Sequence, residues 1–317
     1  MPDKKMLFKY RSFSAKTVES LVCDRLYMAN PADFNDPMDT RPVVECDIDL
    51  DSLQELVATL IERRLKDELT KAAEKIRYRG PKTFEQIDRL SLGHVQKTLN
   101  EVAYNATNPD YENADEASKW MLVSLLEKEL LQQYTGGVFS MAEKANCPLM
   151  WSHYGDQHRG LCIGYSIAKG WPSNLYQVEY GGSRLIKTSL ISRVIDGDIS
   201  AKSELDKAVL LRKARSWSYE REWRLIGKRG LIDSIFELED VTFGFRCPSE
   251  VKWAVFSALR DRSRTVNFYE IREVHGKFTL KRHQLDTDEL GISYPRRARD
   301  ATDVFIPNNL IEGPSGM

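Results

Sequence analysis

Three segments with helical periodicity occupy residues 50–134 and separate two parts of the chain that contain strand-like segments. Within this block apolar side chains recur every three to four residues among many Glu and Lys residues, which is typical of amphipathic helices. The helices are separated by "RGPKT" and "NPDYEN", which contain turn-forming residues. Because strand-like segments flank the block, we predict a helical subdomain inserted into a core that the flanking parts build together.

The flanking parts predict an α+β core. A strand over residues 6–10 is followed by a helix with Ser14 as N-cap, because apolar residues follow at helical spacing. After the helical block we expect a helix over residues 203–215. The segments predicted as strands there are "GGVFSM", "GLCIGYSI", "LYQVEY", "EWRLIGK", "DVTFGF", "WAVFSAL", "FYEIREV" and "KFTLKRH".

These patterns divide the chain into four parts. Residues 1–49 form the N-terminal part of the core, residues 50–134 the helical subdomain and residues 135–283 the main part of the core. Residues 284–317 lose periodicity and gain Pro and Gly, so we predict an irregular tail.

Composition excludes several classes of protein. The 46 Lys and Arg residues nearly balance the 47 Asp and Glu residues, so any site for a polyanion must be local. The five cysteines are scattered without CxxC spacing, which fits a reducing cytoplasm. No segment has the apolar run of a signal peptide or of a membrane span, so we predict a cytoplasmic protein without membrane contact. No sequence feature specifies an oligomeric state.

The segment "CPLMWSHYGDQHRGLCIGY", residues 147–165, concentrates aromatic, His and Gly residues. Pro148 suits the first turn of a short helix that leads into a strand. At 100° per residue, Trp151, Tyr154 and His158 share one helix face if the helix continues past Gly155. Two interpretations stay open: buried aromatics with His158 as a hydrogen-bonded junction residue, or a platform that stacks on a planar ring.

Neither candidate metal pattern is complete. His153 and His158 are five residues apart, and no Glu follows His153 as in HExxH. Asp33, Asp36 and Asp39 in "DFNDPMD" lack the Gly and the closing Glu of an EF-hand loop. We therefore predict Asx turns in this loop and no metal site.

The segment "YEREWRLI" carries two carboxylates. As a strand it places Glu220, Glu222 and Arg224 on one face, with the carboxylates roughly 7 Å apart. Such a pair can hold a ribose hydroxyl and stabilise a developing cation, although a salt-bridged surface gives the same pattern. The indoles of Trp217 and Trp223 on either side favour a site.

Arg11 ends the predicted first strand, where a guanidinium can bind a pyrophosphate in a bidentate way or lie free on the surface. The motifs GxGxxG, GxxxxGK[ST] and GxSxG do not occur in the chain. Dinucleotide-fold dehydrogenases, P-loop proteins and serine hydrolases therefore have no support.

Five motifs in order resemble the bacterial domain-of-unknown-function family 2971. They are "LFKYRSF", "LYMANPADFNDPMD", "MWSHYGDQHRGLCIGY", "WSYEREWRLI" and "VTFGFRC". The resemblance covers residues 6 to about 270 apart from the helical block. The family label implies no established reaction.

The order of these motifs also resembles the ADP-ribosyltransferase fold, a mixed and mainly antiparallel β core that binds NAD. The resemblance implies that Arg11 holds the dinucleotide. It further implies that Phe139 and Ser140, with Trp151 and Tyr154, line the nicotinamide pocket. The segment "GVFSM" departs from the Ser-Thr-Ser motif of those enzymes.

The same resemblance makes Glu222 the catalytic carboxylate, with Glu220 assisting it and His158 either orienting the ribose or replacing a missing donor. The leading hypothesis is NAD-dependent transfer of ADP-ribose to a nucleic acid or protein by a toxin or phage-defence effector, without a metal. One alternative is a nuclease that uses His153 or His158 as general acid and base. Another is a binding module in which residues 202–229, with nine Lys or Arg against four acids, dock a phosphate backbone.

Overall fold

The computed structural model describes residues 5–296 except residues 79, 168, 169 and 171. Its strands are β1 (Met6–Arg11), β2 (Arg25–Met28), β3 (Val43–Glu45), β4 (Gly137–Ala142), β5 (Leu161–Ser166), β6 (Leu175–Gln177), β7 (Glu179–Tyr180), β8 (Leu185–Lys187), β9 (Arg212–Lys213), β10 (Glu222–Gly227), β11 (Gly230–Asp233), β12 (Glu237–Phe243), β13 (Asn267–Glu273) and β14 (Leu280–Gln284).

The helices are α1 (Ala15–Val22), α2 (Leu50–Lys75), α3 (Thr83–Ala106), α4 (Ala114–Gln133), α5 (Pro148–His153), α6 (Thr188–Ile195), α7 (Ile199–Leu210), α8 (Ser249–Leu259) and α9 (Thr287–Ser293), and short 3₁₀ helices span Pro31–Asp33 and Arg215–Glu220. Among the described residues, no helix combines the length and apolar character needed to cross a membrane.

The described strands build one eight-stranded sheet in the order β14-β13-β12-β5-β1-β4-β10-β6. Within it β12 and β13 run parallel and the other neighbours run antiparallel. The predicted α+β class with a largely antiparallel sheet is therefore confirmed. The remaining described strands form three two-stranded sheets, β11–β2, β3–β8 and β7–β9.

Alternating side chains give the sheet two buried faces. On β1, Leu7 packs into a core with α1, α8 and α9, whereas Phe8 and Tyr10 pack into a second core with α5. On β10, Leu225 joins the first core and Ile226 packs against the helical layer. Helices consequently cover both faces.

The helical block forms the predicted three helices, α2, α3 and α4. The side chain of Asp49 accepts a hydrogen bond from the backbone N–H of Ser52 and starts α2, as expected for an N-cap. Their apolar faces share one core with α6 and α7, so the helical layer combines two separate parts of the chain.

Several segments differ from the prediction. The helix expected over residues 203–215 is α7, which ends at Leu210, and Arg212–Lys213 form β9. "WAVFSAL", expected as a strand, lies within α8, where Val255 and Leu259 are buried one helical turn apart. A short apolar run does not distinguish a buried strand from a buried helix. The expected irregular tail contains α9, which begins with the side chain of Asp286 accepting bonds from two backbone N–H groups. Residues 297–317 of that tail lie outside the described residues.

β1 and β4 separate soon after they meet. They share a single register pair, Phe8 with Ala142, whereas β1 pairs with β5 along its whole length. Beyond that pair the Nζ of Lys9 donates to the backbone O of Ser140 at 2.8 Å. This separation opens the sheet at its centre.

Candidate active site

A cavity of about 340 Å³ lies in the opening between β1 and β4. Its lining comes from β1, the loop after β2, β4, α5 and the segment that leads into β10. The residues predicted for the transferase site that line it are Arg11, Ser140, Tyr154, Glu220 and Glu222. His153, predicted for the nuclease alternative, lines it too. Residues far apart in the chain therefore converge on one cavity.

A cluster of buried charged groups lies at one side of this cavity, and all of its members except Arg224 line it. The cluster, which we call the acidic floor, consists of Asp39, Lys213, Glu220, Glu222 and Arg224, all buried. Burial of charges is costly unless they are paired, and such clusters concentrate at functional sites. With every group ionised, the acidic floor has one more negative than positive charge.

Arg224 and Lys213 hold the Glu222 carboxylate. The Nε of Arg224 lies 2.9 Å from Oε1 of Glu222, and the Nη2 of Arg224 and the Nζ of Lys213 lie 3.0 and 3.2 Å from Oε2. Burial alone raises the pKa of Glu222, but the two cations and a hydrogen bond from Ser140 outweigh it and lower the pKa to about 2. Glu222 is thus an ionised carboxylate in a fixed orientation.

The pKa of Glu220 is shifted in the opposite direction, upward. Its Oε1 accepts a hydrogen bond from the hydroxyl of Tyr154 at 2.7 Å, and its Oε2 lies 2.5 Å from the Nζ of Lys213. Burial and the neighbouring charge of Glu222 raise the pKa of Glu220, and Lys213 opposes this rise. Two neighbouring carboxylates with opposite pKa shifts are typical of paired acid–base roles.

The backbone between the two carboxylates differs from the predicted strand. Glu220 is the last residue of a 3₁₀ helix, and β10 begins at Glu222. Arg221 between them has φ 47° and ψ 54°, the left-handed conformation, which costs a non-glycine residue about 1–2 kcal/mol. This turn directs both carboxylates to Lys213, and such strain often accompanies functional sites.

The loop after β2 forms only part of the predicted Asx turns. The Oδ1 of Asp36 accepts a hydrogen bond from the backbone N–H of Met38, the Asx turn that was predicted. Asp39, predicted as another turn residue, instead lies 2.6 Å from Arg224 in the acidic floor. Among the described residues, no group of three or more His, Cys, Asp or Glu side chains is arranged to hold a metal ion.

Two cationic residues of β1 line the cavity, and we call them the β1 cations: Lys9 and Arg11. The guanidinium of Arg11 forms no hydrogen bond or ion pair with any residue in the described part of the chain. Burial lowers its pKa. A partly buried guanidinium without a protein partner is suited to bind an anionic ligand.

Lys9 was not predicted from the sequence. Its Nζ bonds the uncharged O of Ser140, and burial together with the charge of Arg11 lowers its pKa to about 7. The available signal was its i, i+2 spacing from Arg11 on an otherwise apolar strand. Lys9 therefore gains or loses its charge near neutral pH.

Trp151 does not line the cavity, and this part of the predicted ring pocket is wrong. Its side chain is 0% exposed, its Nε1 donates to the O of Ala145 at 2.9 Å, and its ring packs edge-on against Tyr10. Phe139 is buried in the opposite core. Apolar side chains of β1 and α5 surround Trp151, so its ring is buried in the core and not exposed to a ligand.

His158 also lies outside the cavity lining. Helix α5 ends at His153, and Asp156, Gln157 and His158 all have positive φ, so the expected common helix face does not form. The His158 ring stacks on Trp151 and contacts Phe245. This position corresponds to the junction interpretation.

Comparison with known proteins gives one match. Residues 150–225 match the model of a family described as "Protein of unknown function (DUF2971)". This range contains the last four residues of α5, all of β5, and both Glu220 and Glu222. For this part of the chain it supports the relationship expected from the motifs. No curated protein and no solved structure matches the chain.

Proposed function

We propose that the cavity binds NAD, cleaves its nicotinamide–ribose bond and transfers ADP-ribose to a macromolecule. The observation that carries this proposal is the separation of charge: the β1 cations line one side of the cavity and the acidic floor lines another. NAD has a matching separation, because its nicotinamide ring is cationic and its diphosphate is anionic.

The proposed orientation follows from this charge distribution. The diphosphate lies toward Lys9 and Arg11, because a guanidinium and an ammonium bind phosphate oxygens through charge-assisted hydrogen bonds. The nicotinamide ribose lies toward Glu220 and Glu222, where the excess negative charge stabilises a cation. The ring of Tyr154 supplies an aromatic wall between them.

The reaction requires stabilisation of positive charge at the anomeric carbon. As the C1′–N bond breaks, its electron pair moves to the ring nitrogen and nicotinamide leaves uncharged. Glu222, held ionised by Arg224 and Lys213, stabilises the oxocarbenium ion. A nucleophilic N or O of the acceptor then bonds to C1′ and loses its proton to Glu220, which has the more basic carboxylate.

The test is incubation of the purified protein with NAD and a cell extract as acceptor, followed by measurement of free nicotinamide. We expect release that depends on Glu222. A protein that releases no nicotinamide and binds no NAD contradicts the proposal. As a toxin or defence effector, the protein should deplete cellular NAD and arrest growth when expressed.

We expect Arg11→Met to raise KM for NAD by roughly ten- to a hundredfold, since a hydrogen bond to a charged group contributes about 1.5–3 kcal/mol. Thermal stability should stay unchanged, because Arg11 has no ion pair with the described residues. Steady-state nicotinamide release and thermal melts measure the two effects. An unchanged KM contradicts the assignment of Arg11 to the dinucleotide.

Binding of ADP-ribose should weaken as pH rises from about 6 to about 8.5, because Lys9 has a pKa of about 7 and only its charged form attracts the diphosphate. A bound anion raises this pKa, so binding takes up protons at pH values around and between the free-state and the bound-state pKa of Lys9. Titration calorimetry in buffers of different ionisation enthalpy measures the uptake. Lys9→Arg should bind with little pH dependence; a pH dependence identical to that of the native protein contradicts the role of Lys9.

The nuclease hypothesis differs in its substrate. His153 lines the cavity, whereas His158 does not, so the structure offers one histidine and not a pair to such chemistry. RNA degradation in the absence of NAD, lost in His153→Ala and retained in Glu222→Gln, favours the nuclease over the transferase.

A further inference from the structure

Three ring side chains border the cavity on the side of α5, and we call them the aromatic rim: His153, Trp217 and Tyr219. His153 lines the cavity, and its ring centroid lies 6.0 Å from that of Trp217 and 6.4 Å from that of Tyr219. His153 is exposed, and Trp217 and Tyr219 are half-buried. The aromatic rim thus presents ring surface to solvent beside the cavity.

The aromatic rim is connected to the acidic floor. The Nζ of Lys213 lies 5.0 Å from the ring centroid of Trp217, and the same Nζ binds Glu220. A group that stacks on the aromatic rim therefore lies next to the carboxylates to which the proposed function assigns the chemistry.

The charge around the aromatic rim favours an anionic partner. In the 3₁₀ helix Arg215–Glu220 and the residue that follows it, Arg215 and Arg221 are exposed, while the carboxylate of Glu220 is buried. The side chain of Arg215 forms no ion pair or hydrogen bond with any residue that the structure describes. Arg221 lies 3.9 Å from Glu143 and keeps about half of its side chain exposed (54%).

We propose that the aromatic rim is the acceptor site and that it binds a base of a single-stranded nucleic acid, with Arg215 and Arg221 contacting the adjacent phosphates. This inference rests on the proposed function, because it names the acceptor of the same cavity. Aromatic side chains that stack on bases beside basic residues are the usual means of binding single strands. A base inside a duplex cannot reach an interior cavity unless it leaves the stack.

Transfer of ADP-ribose to a base follows the reaction given above for a general acceptor. An N–H nitrogen of the base, in the ring or exocyclic, bonds to C1′, the C1′–nicotinamide bond breaks, and the proton of that nitrogen passes to Glu220 and then to solvent. No other co-reactant is required besides NAD.

Fluorescence anisotropy of labelled single-stranded DNA and RNA of about 12 nucleotides, without NAD, tests the binding. We expect Trp217→Ala to weaken binding by roughly five- to a hundredfold. Trp120→Ala is the matched control, because Trp120 is an exposed indole (65%) on α4, outside the aromatic rim. Arg215→Ala should reduce the slope of log affinity against log salt by about 0.7.

Three results overturn the inference: no binding of single strands at about 50 mM salt, equal effects of Trp217→Ala and Trp120→Ala, or duplex DNA bound as well as single strands. A second experiment follows labelled ADP-ribose from NAD in a mixture of oligonucleotide and protein extract. Label on protein alone overturns the inference and leaves the proposed function intact, whereas bound oligonucleotide without NAD turnover contradicts the proposed function and keeps the binding surface.

Discussion

Glu222→Gln is expected to slow nicotinamide release by about a hundred- to a thousandfold, the usual effect of removing one preorganised electrostatic group. The amide keeps the shape of the side chain but loses the negative charge that faces the oxocarbenium ion. It also leaves Lys213 and Arg224 shared between the two carboxylates of Asp39 and Glu220, so the excess negative charge of the acidic floor disappears. KM for NAD should change much less than kcat, since the lost interaction forms mainly in the transition state.

The chain contains a matched control for this variant. Glu129 is a buried carboxylate of the helical layer, and Arg64 binds it with Nε at 2.5 Å. Glu129→Gln removes the charge from a buried ion pair outside the cavity. We expect a comparable loss of thermal stability and no change in nicotinamide release. If both variants lose activity in proportion to their stability, Glu222 has a structural role only.

Arg224→Met should lower the free energy of unfolding by about 3–5 kcal/mol, because it leaves the buried carboxylates of Asp39 and Glu222 without their main cation. Arg224 is 0% exposed and also donates to the backbone O of Leu210 at 2.6 Å. Urea unfolding measures the loss. Arg193→Ala is the control, since Arg193 pairs with Asp198 at the surface, and exposed pairs contribute only about 0–1 kcal/mol.

Compensating substitutions separate unpaired charge from lost packing. Asp39→Asn together with Glu222→Gln should restore part of the stability of Arg224→Met, because no unpaired carboxylate then remains beside the methionine. A triple variant no more stable than Arg224→Met would assign the loss to packing alone.

The ion pair between Arg224 and Glu222 also makes the free energy of unfolding depend on pH in the acid range. The pKa of Glu222 falls from 4.5 to about 2 on folding. A depressed pKa contributes stability above the unfolded value, and this contribution is lost as pH falls from about 4.5 toward 2. Arg224→Met should therefore lose less stability than the native protein over that pH range.

Part of the site was predictable because its signals are local. Glu220 and Glu222 stand two residues apart between indoles, and Arg11 ends the first strand. Each pattern lies within a few residues, and the residue types in it indicate which chemistry the side chains can perform. The alternative interpretation of Trp151 as a buried aromatic was equally consistent with its pattern, and burial by β1 decided in its favour.

The remaining site residues were not predictable from local patterns. Lys213 and Asp39 carry no motif of their own, yet the Nζ of Lys213 lies within 3.5 Å of Asp39 and closer to Glu220. The left-handed backbone at Arg221 is what brings Glu220 into this cluster. A non-glycine residue takes that conformation only when tertiary contacts compensate its cost, so no propensity indicates it.

The sequence by itself determined the three long helices, most of the strands and the residue types available for chemistry, because hydrophobic periodicity and capping act over a few residues. The tertiary structure alone decided that β1 separates from β4 and that β10 lies beside β4, which places Arg11 and Glu222 around one cavity. These two pairings join residues 80–90 positions apart, for β10 with β4, and 134 positions apart, for β1 with β4. Such contacts are selected by the packing of the whole core and leave no periodic trace in the sequence.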